Sequence, residues 1–335
     1  MKIAILFGGN SSEREVSIAS GVQVSKALRE IGHDVIAVDT FRGILSDKEQ
    51  QVLLAHGVAP APPSERDLQV IRAKTGSIVQ PSCFADADVV FLALHGGMGE
   101  DGTIQAVLST AGIRYTGCDH VGSAAAMDKD LAKRLFIAAG VPTADWLMAP
   151  VEQETAFKRL GLPLVVKPNK QGSTVGLTVV KKSTQLAPAI AEAFLHDDEV
   201  MLEKFVSGRE LTVGILGNRA LAVGEIILKS SEIFDYRSKY QIGGANEIFP
   251  ADLSKEQTQE IQDLALRAHH GLKLRDYSRI DFRMDESGKF WCLEANTLPG
   301  LTATSLLPQS AAAAVGISFP ELCDEICRMA LERQS

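Results

Sequence analysis

Residues 279–296, RIDFRMDESGKFWCLEAN, constrain the fold more than any other part of this chain. Two runs of alternating character flank Ser287-Gly288, a pair that fits a two-residue turn, so the stretch reads as a β-hairpin. Pairing Glu286 with Lys289 across that turn sets the register outward, and a slip of one residue would send every side chain to the opposite face. Ile280 then faces Ala295, Phe282 faces Leu293 and Met284 faces Trp291, so one face is wholly apolar. The other face sets Asp281 opposite Glu294 and Arg279 opposite Asn296.

Directly opposed carboxylates, with Cβ atoms roughly 4.5–5.5 Å apart, repel one another. Something has to offset that charge. Either the face is solvated and shared with neighbouring arginines, or a hard cation is held by oxygens of Asp281, Glu294 and Asn296. Two carboxylates and an amide oxygen, with no His or Cys nearby in sequence, suit Mg²⁺ shared with phosphates.

The first hundred residues have a different texture. KIAILF (2–7), HDVIAVDT (33–40) and DVVFLAL (88–94) read as strands, with a short further strand at IRYTG. Between the first two, Val16, Ala19, Val24, Ala27, Leu28 and Ile31 share one side of a helix, and a second helix is expected over 102–111. Alternating strands and helices imply an α/β domain on a parallel sheet, with ligands beyond the carboxyl ends of its strands. Gly8-Gly9 and Gly96, Gly97 and Gly99 fall at such ends. Residues 41–80, with the Pro-rich APAPPSER, read as an insertion. From about 121 the texture shifts again, to a helix over 123–139 and then short strands, and after about 207 to antiparallel strands and a closing helix rich in Leu, Cys and Met. Three lobes are the natural parse of 335 residues: 1–120, 121–206 and 207–335.

In LVVKPNKQGSTVGL, Lys167 ends an apolar strand and 171–176 form a glycine- and hydroxyl-rich turn whose N–H groups can wrap an anion. It lacks the GxxxxGK[ST] pattern, so a P-loop is rejected. A Gly-Ser turn is more often only a turn; this one gains weight from Lys129, Lys167 and the acidic hairpin. Glu203 and Glu210 flank a strand-to-strand turn and, taken alone, read as surface acids. Ser12-x-x-Glu15 matches a capping box starting the first helix, which makes Glu15 structural. Glu13, in that first turn, either complements the helix dipole or reaches an ammonium group at the domain edge.

The bulk properties exclude several classes. No apolar run approaches the roughly 20 residues needed to cross a bilayer, and the N-terminal run stops at glycines where a signal peptide would continue. A net charge of −8 without a basic stripe argues against nucleic acid. The five cysteines (Cys83, Cys118, Cys292, Cys323, Cys327) are scattered, and Cys323 and Cys327 have no second pair to complete a zinc site. They read as reduced core thiols of a cytoplasmic protein.

Seven stretches in order resemble the D-alanine–D-alanine ligase family of the ATP-grasp superfamily. They are FGGNSSEREVSIASG (7–21), LHGGMGEDGTIQ (94–105), YTGCDHVGSAAAMDK (115–129), VVKPNKQGSTVG (165–176), EKFVSGRELTV (203–213), FDYRSKY (234–240) and RIDFRMDESGKFWCLEANTLPGLTATSLLP (279–308). The resemblance implies a three-domain ATP-grasp fold with a Rossmann-like parallel-sheet domain first and ATP gripped between the other two. It implies that Lys129 and Lys167 bind phosphates, that Glu203, Lys204 and Val206 line the adenine site with Glu210 at the ribose, and that Lys239 closes over phosphate from a mobile loop. Asp281, Glu294 and Asn296 are implied to hold one or two Mg²⁺, with Mn²⁺ as a substitute and Asn296 also near ATP. Glu13 is implied to hold the amino group of the first D-alanine, with Ser173 and Tyr240 orienting it and His95 nearby. Arg279 and the Gly300 N–H are implied to stabilise the oxyanion, and Ser305 and Leu306 to bind the carboxylate of the second D-alanine. Family members are commonly homodimers.

Such a ligase makes an acyl-phosphate, which positioning and charge neutralisation assist and which water must not reach. Residues 231–249, with Gly243-Gly244 as hinge, are the expected closing loop. Phe234 stands where many relatives have Tyr, and QIGGANEI after Tyr240 is less polar than usual. A relative using D-lactate or D-serine as second substrate, or serving antibiotic synthesis, is the nearest rival; Tyr240 favours D-alanine over D-lactate. A non-catalytic nucleotide-binding regulator would lack Lys167, Arg279, Asp281 or Glu294, and all are present. A kinase releasing a phosphorylated product is disfavoured by the implied acceptor site.

Overall fold

The run KIAILF forms β1 (Lys2–Phe7), a central strand of a four-stranded sheet ordered β3-β2-β1-β4. In the computed structural model, which describes residues 1–56, 63, 68–69, 71, 84–228 and 245–333, residues 3–7 of this strand are all buried. A central strand covered on both faces has no reason to alternate, which explains its continuous apolar character. α1 (Arg14–Glu30) packs against β2 (Asp34–Asp39), β3 (Gly43–Ile44) is a short antiparallel edge, and α2 (Asp47–His56) follows. β2 and β4 (Val89–Leu92) pair in parallel on either side of β1, and α3 (Thr103–Thr110) comes next.

Several local expectations are corrected here. The strand expected at IRYTG is reduced to one parallel bridge between Val90 and Tyr115. The Ser12–Glu15 capping box does not form, because α1 begins one residue too late for it, with Glu13 at the N-cap. Ser11 serves that end instead, its Oγ accepting from the Glu13 N–H at 3.2 Å while donating to His95 O at 2.5 Å. Ile31 lies just past the helix and is 40% exposed, outside the apolar side expected to include it. Within 41–80 the described part supplies β3 and α2, and APAPPSER lies almost wholly outside the described residues.

One helix was expected over 123–139, and two are found, α4 (His120–Met127) and α5 (Lys129–Ala138). Asp128 breaks them with an extended backbone (ψ 103°) and caps the second, its side chain accepting from the Leu131 N–H at 3.0 Å. Asp is among the residues that favour this position, so the break is local chemistry. Next come β5 (Trp146–Met148), α6 (Gln153–Leu160), β6 (Leu164–Pro168), β7 (Thr178–Val180), α7 (Leu186–Ala193) and β8 (Val200–Lys204). The strands form a sheet ordered β5-β8-β6-β7, and α6 and α7 close a separate core against it.

β9 (Arg209–Leu216), β10 (Arg219–Leu228), β11 (Ala245–Ile248), β12 (Tyr277–Met284) and β13 (Phe290–Asn296) build an antiparallel sheet ordered β11-β10-β9-β12-β13. One face packs on α8 (Lys255–Gly271) and on α4 and α5, with Phe136, Leu264, Ile280, Phe282 and Phe290 at the centre. α9 (Leu306–Val315) and α10 (Phe319–Glu332) follow, and α10 returns to the first sheet, burying Leu322, Cys323, Ile326 and Cys327 in the core that holds β1 and β4.

The hairpin β12–β13 is present, with two departures that cancel. Its loop holds three residues, Glu286, Ser287 and Gly288: Asp285 N donates to Lys289 O at 3.0 Å, and Gly288 takes φ +84°. The expected two-residue turn needs a positive φ at Ser287 as well or a glycine there, and a three-residue loop asks only for the glycine. Met284 therefore pairs with Phe290, not Trp291, and Phe282 with Cys292, not Leu293. A β-bulge between Asp281 and Phe282 absorbs the extra residue, so Asp281 still faces Glu294 and Arg279 still faces Asn296. Leu293 joins the ligand-facing side as a result.

Candidate active site

Asp281 is buried and fully engaged. Its carboxylate accepts from Arg279 Nε and Nη2 at 2.9 and 2.7 Å, from Thr212 Oγ1 at 2.7 Å and from Asn296 Nδ2 at 2.9 Å. Glu294, across the hairpin, lies 3.8 Å from Lys129 Nζ. Arginine and lysine thus offset the opposed carboxylates in the protein alone; the arginine of the first alternative is present, but Asp281 is buried and not solvated. For the second, Asp281 and Glu294 line a cavity of about 140 Å³ with no imidazole or thiol among its lining residues, while Asn296 lines the neighbouring cavity and reaches Asp281 through its amide N–H. An all-oxygen donor set of this kind suits a hard divalent cation.

The same cavity is lined by Lys129, Lys167, Glu203, Lys204, Val206 and Glu210. Lys167 and Glu203 come from adjacent antiparallel strands, β6 and β8, which brings the Lys167 ammonium to 2.7 Å from the Glu203 carboxylate. Burial works against ionising Glu203, but Lys133 and Lys167 outweigh it and hold the carboxyl at about 2. Lys129 Nζ donates to Gln171 O at 2.7 Å, and burial, partly offset by Glu294, lowers its pKa. Glu210 is bound by Arg283 at 3.1 Å, and Arg283 Nε donates to Val206 O at 3.1 Å, fixing the turn between β8 and β9.

The turn at 171–176 crosses between this cavity and a larger one of about 260 Å³. Ser173 and Thr174 both take left-handed backbone angles, φ 49° and 59°, a strained arrangement of the sort that clusters at functional sites. Ser173 Oγ donates to the Glu13 carboxylate, 160 residues away in sequence. A side chain on Gly172 would place its Cβ 2.7 Å from Glu13 Oε2, so any other residue there would make the Glu13 carboxylate shift. The two cavities share Lys129, Gln171, Gly172, Ser173 and Glu294.

Glu13, His95, Arg279, Asn296, Gly300, Ser305 and Leu306 all line the larger cavity. Both nitrogens of His95 are already occupied, Nδ1 at 2.8 Å from Leu298 O and Nε2 at 2.9 Å from Ser20 Oγ; burial lowers its pKa, consistent with a neutral ring. His95 therefore ties the first lobe to the 297–301 loop. Ser305 is the N-cap of α9, whose own first turn holds no acidic residue, and this positive end of the helix dipole lies at the cavity, with Glu247 held nearby by Gln309. Lys239, Tyr240, Phe234 and Gly243-Gly244 lie outside the described residues; the end of the expected closing loop, 245–248, is strand β11.

Four residues escaped the sequence reading. Glu100 accepts from Gly96 N at 2.7 Å and Leu298 N at 3.3 Å, and burial, reinforced by Glu13, pushes its pKa up to about 8. Glu247 lines the larger cavity and is held by Gln309 Nε2 at 2.5 Å. Lys133 reaches Glu203 from one turn beyond Lys129, a spacing that puts both on one helix side and was the available signal. Arg283, part of the alternating run but not singled out in it, anchors Glu210.

A lysine- and acid-lined slot between two antiparallel sheets, opening onto a second cavity at the edge of a parallel sheet, is the arrangement of an ATP-grasp ligase. Family models described as the D-ala D-ala ligase N-terminus and C-terminus match residues 2–118 and 135–328. The chain is 42% identical to a D-alanine–D-alanine ligase of Syntrophobacter fumaroxidans, over 99% of this chain and 98% of that one. Among solved structures it resembles the Bacillus anthracis D-alanine–D-alanine ligase complexed with ATP (TM-score 0.76, 30% identity, 99% and 97% coverage). It also resembles the VanG D-Ala:D-Ser ligase of Enterococcus faecalis (TM-score 0.77, 30% identity, 98% and 99% coverage). The chain belongs to the D-alanine–D-alanine ligase family, and it is an ATP-dependent ligase.

Proposed function

We propose that this enzyme joins two molecules of D-alanine, consuming ATP and passing through D-alanyl phosphate, and so supplies peptidoglycan precursor synthesis. The observation that carries the reading is the shared wall of the two cavities at Lys129, Gly172, Ser173 and Glu294. A carboxylate in the larger cavity meets there the terminal phosphate of a nucleotide in the smaller. Its oxygen attacks the γ-phosphorus and ADP leaves. The amine of the second D-alanine then attacks the acyl carbon, phosphate departs and the amine gives up a proton.

Charge neutralisation dominates the first step. Lys129 and Lys167 meet the phosphates, Glu203, Lys204 and Val206 meet the base, and Glu210 meets the ribose. Asp281, Glu294 and Asn296 would hold one or two Mg²⁺, or Mn²⁺, which when bound neutralises phosphate charge. Glu13 receives the first ammonium with Ser173 as its hydrogen-bond partner, and His95 holds the cavity wall. Arg279 and the Gly300 N–H face the charge that develops on the carbonyl oxygen, and the N-terminus of α9 at Ser305 and Leu306 takes the second carboxylate. Lys239 is assigned to the phosphates and Tyr240 to orienting the first D-alanine, both outside the described residues.

We also assign three lobes, 1–120, 121–206 and 207–335, a homodimer and a cytoplasmic location. Supporting the last, Cys118, Cys292, Cys323 and Cys327 are unpaired and buried, and no helix among the described residues is long and apolar enough to cross a membrane. The test offers ATP and D-alanine with D-serine and D-lactate in competition and identifies products by mass. D-Alanyl-D-alanine is expected to dominate near neutral pH; mostly ester or D-alanyl-D-serine would overturn the assignment of the second substrate.

A further inference from the structure

Lys133 is 0% exposed, and it lines neither cavity. Its ammonium donates to Glu203 Oε1 at 2.5 Å and to Thr143 Oγ1 at 2.6 Å, and it sits 5.1 Å from the centre of the Trp146 ring. Thr143 Oγ1 donates in turn to Cys292 O at 2.8 Å, on the strand that carries Glu294. Two hydrogen bonds and a ring within cation–π range hold the ammonium, so its position is fixed by Glu203, Thr143 and Trp146. Burying a lysine costs several kcal/mol unless it is well paired, and an apolar side chain of similar length would fill this space without that cost.

The electrostatics give the lysine a use. Glu203 is 3% exposed and takes one ammonium on each oxygen, Lys133 on Oε1 and Lys167 on Oε2. Two cations on one anion leave a net charge of +1, and of the two only Lys167 lines the nucleotide cavity. Without Lys133, the carboxylate and Lys167 would neutralise each other, and the carboxylate would swing toward its one remaining partner.

We infer that Lys133 is a positioning residue for the nucleotide: it pins the Glu203 carboxylate in the base pocket and so leaves the charge of Lys167 available to the phosphates. This rests on the reading of Glu203 and Lys167 as nucleotide ligands.

The test compares wild type, K133M, E203Q and K133M/E203Q as full-length proteins, measuring KM for ATP, for D-alanine and for ITP, which carries an oxygen in place of the exocyclic amine of adenine. K133M is expected to raise KM for ATP at least tenfold, to leave KM for D-alanine within twofold, and to shrink the preference for ATP over ITP. In the E203Q background the same substitution is expected to cost less than threefold, because no carboxylate needs holding. If K133M fails to fold, T143V removes one pin from Lys133 and is expected to raise KM for ATP severalfold with the same selectivity. An unchanged KM for ATP, an equal loss for both substrates, or the same loss in the E203Q background would overturn the inference. Should E203Q match wild type in KM for ATP and in ATP-over-ITP preference, the placement of Glu203 at the base falls first, and the inference with it.

Discussion

Gly172→Ala isolates the contact on which binding of the first substrate depends. Gly172 does not have a positive φ, so alanine meets no backbone penalty, yet its Cβ would stand 2.7 Å from Glu13 Oε2. An ordinary contact begins at 3.4 Å, so the carboxylate has to retreat by the difference, 3.4 − 2.7, or about 0.7 Å. The retreat is opposed by Ser173 Oγ, which holds the other carboxylate oxygen. A displacement near 1 Å at a positioning group costs roughly 10²-fold in rate, so kcat/KM for D-alanine is expected to fall about 10–100-fold, or about 1.4–2.7 kcal/mol. The assay is ADP release at saturating ATP with D-alanine varied, beside a thermal melt to confirm folding. A folded variant within twofold of wild type would refute the placement of the first ammonium at Glu13.

Glu294→Gln keeps the shape of the hairpin but removes the carboxylate facing Lys129, and is expected to reduce turnover to near the detection limit with an unchanged melting temperature; unaltered turnover would count against the metal assignment. Glu100 gives a pH signature in the substrate-free protein. Its pKa is raised to about 8 from an ordinary 4.5, so between those values the folded protein keeps a proton that the unfolded chain has released. Stability should therefore fall as pH rises through that window, by on the order of 5 kcal/mol. Glu100→Gln is expected to flatten this dependence in melts taken from pH 5 to 8.5, and parallel curves for the two proteins would refute it.

What was legible in the sequence follows the range of the interactions involved. The opposition of Asp281 and Glu294 was readable because strand alternation is local and one apolar face fixes the phase. The bulge after Asp281 was not, since loop length and bulge compensate and leave the pairing near Asp281 unchanged. Glu13 was singled out by its place in the first helical turn at the domain edge, but its partner Ser173 is 160 residues away, and nothing in the spacing of either residue announces the other. Glu100 sits inside a glycine-rich run that drew notice for its backbone, and its role emerges only when Leu298 is folded against it. Lys133 looked like one more charge on a helix until β8 brought Glu203 beneath it.

The placement of α10 bears on how the molecule comes into being. Leu322, Ile326 and Cys327 share a core with Ile3, Ile5 and Phe91, so residues translated some 300 positions apart are needed to close one apolar interior. During synthesis the parallel sheet has to wait with that flank uncovered while two other sheets are made, a slow, high-contact-order route in which aggregation competes with completion. Trimming the helix from an otherwise intact chain would accordingly harm the amino-terminal sheet before it touched the hairpin.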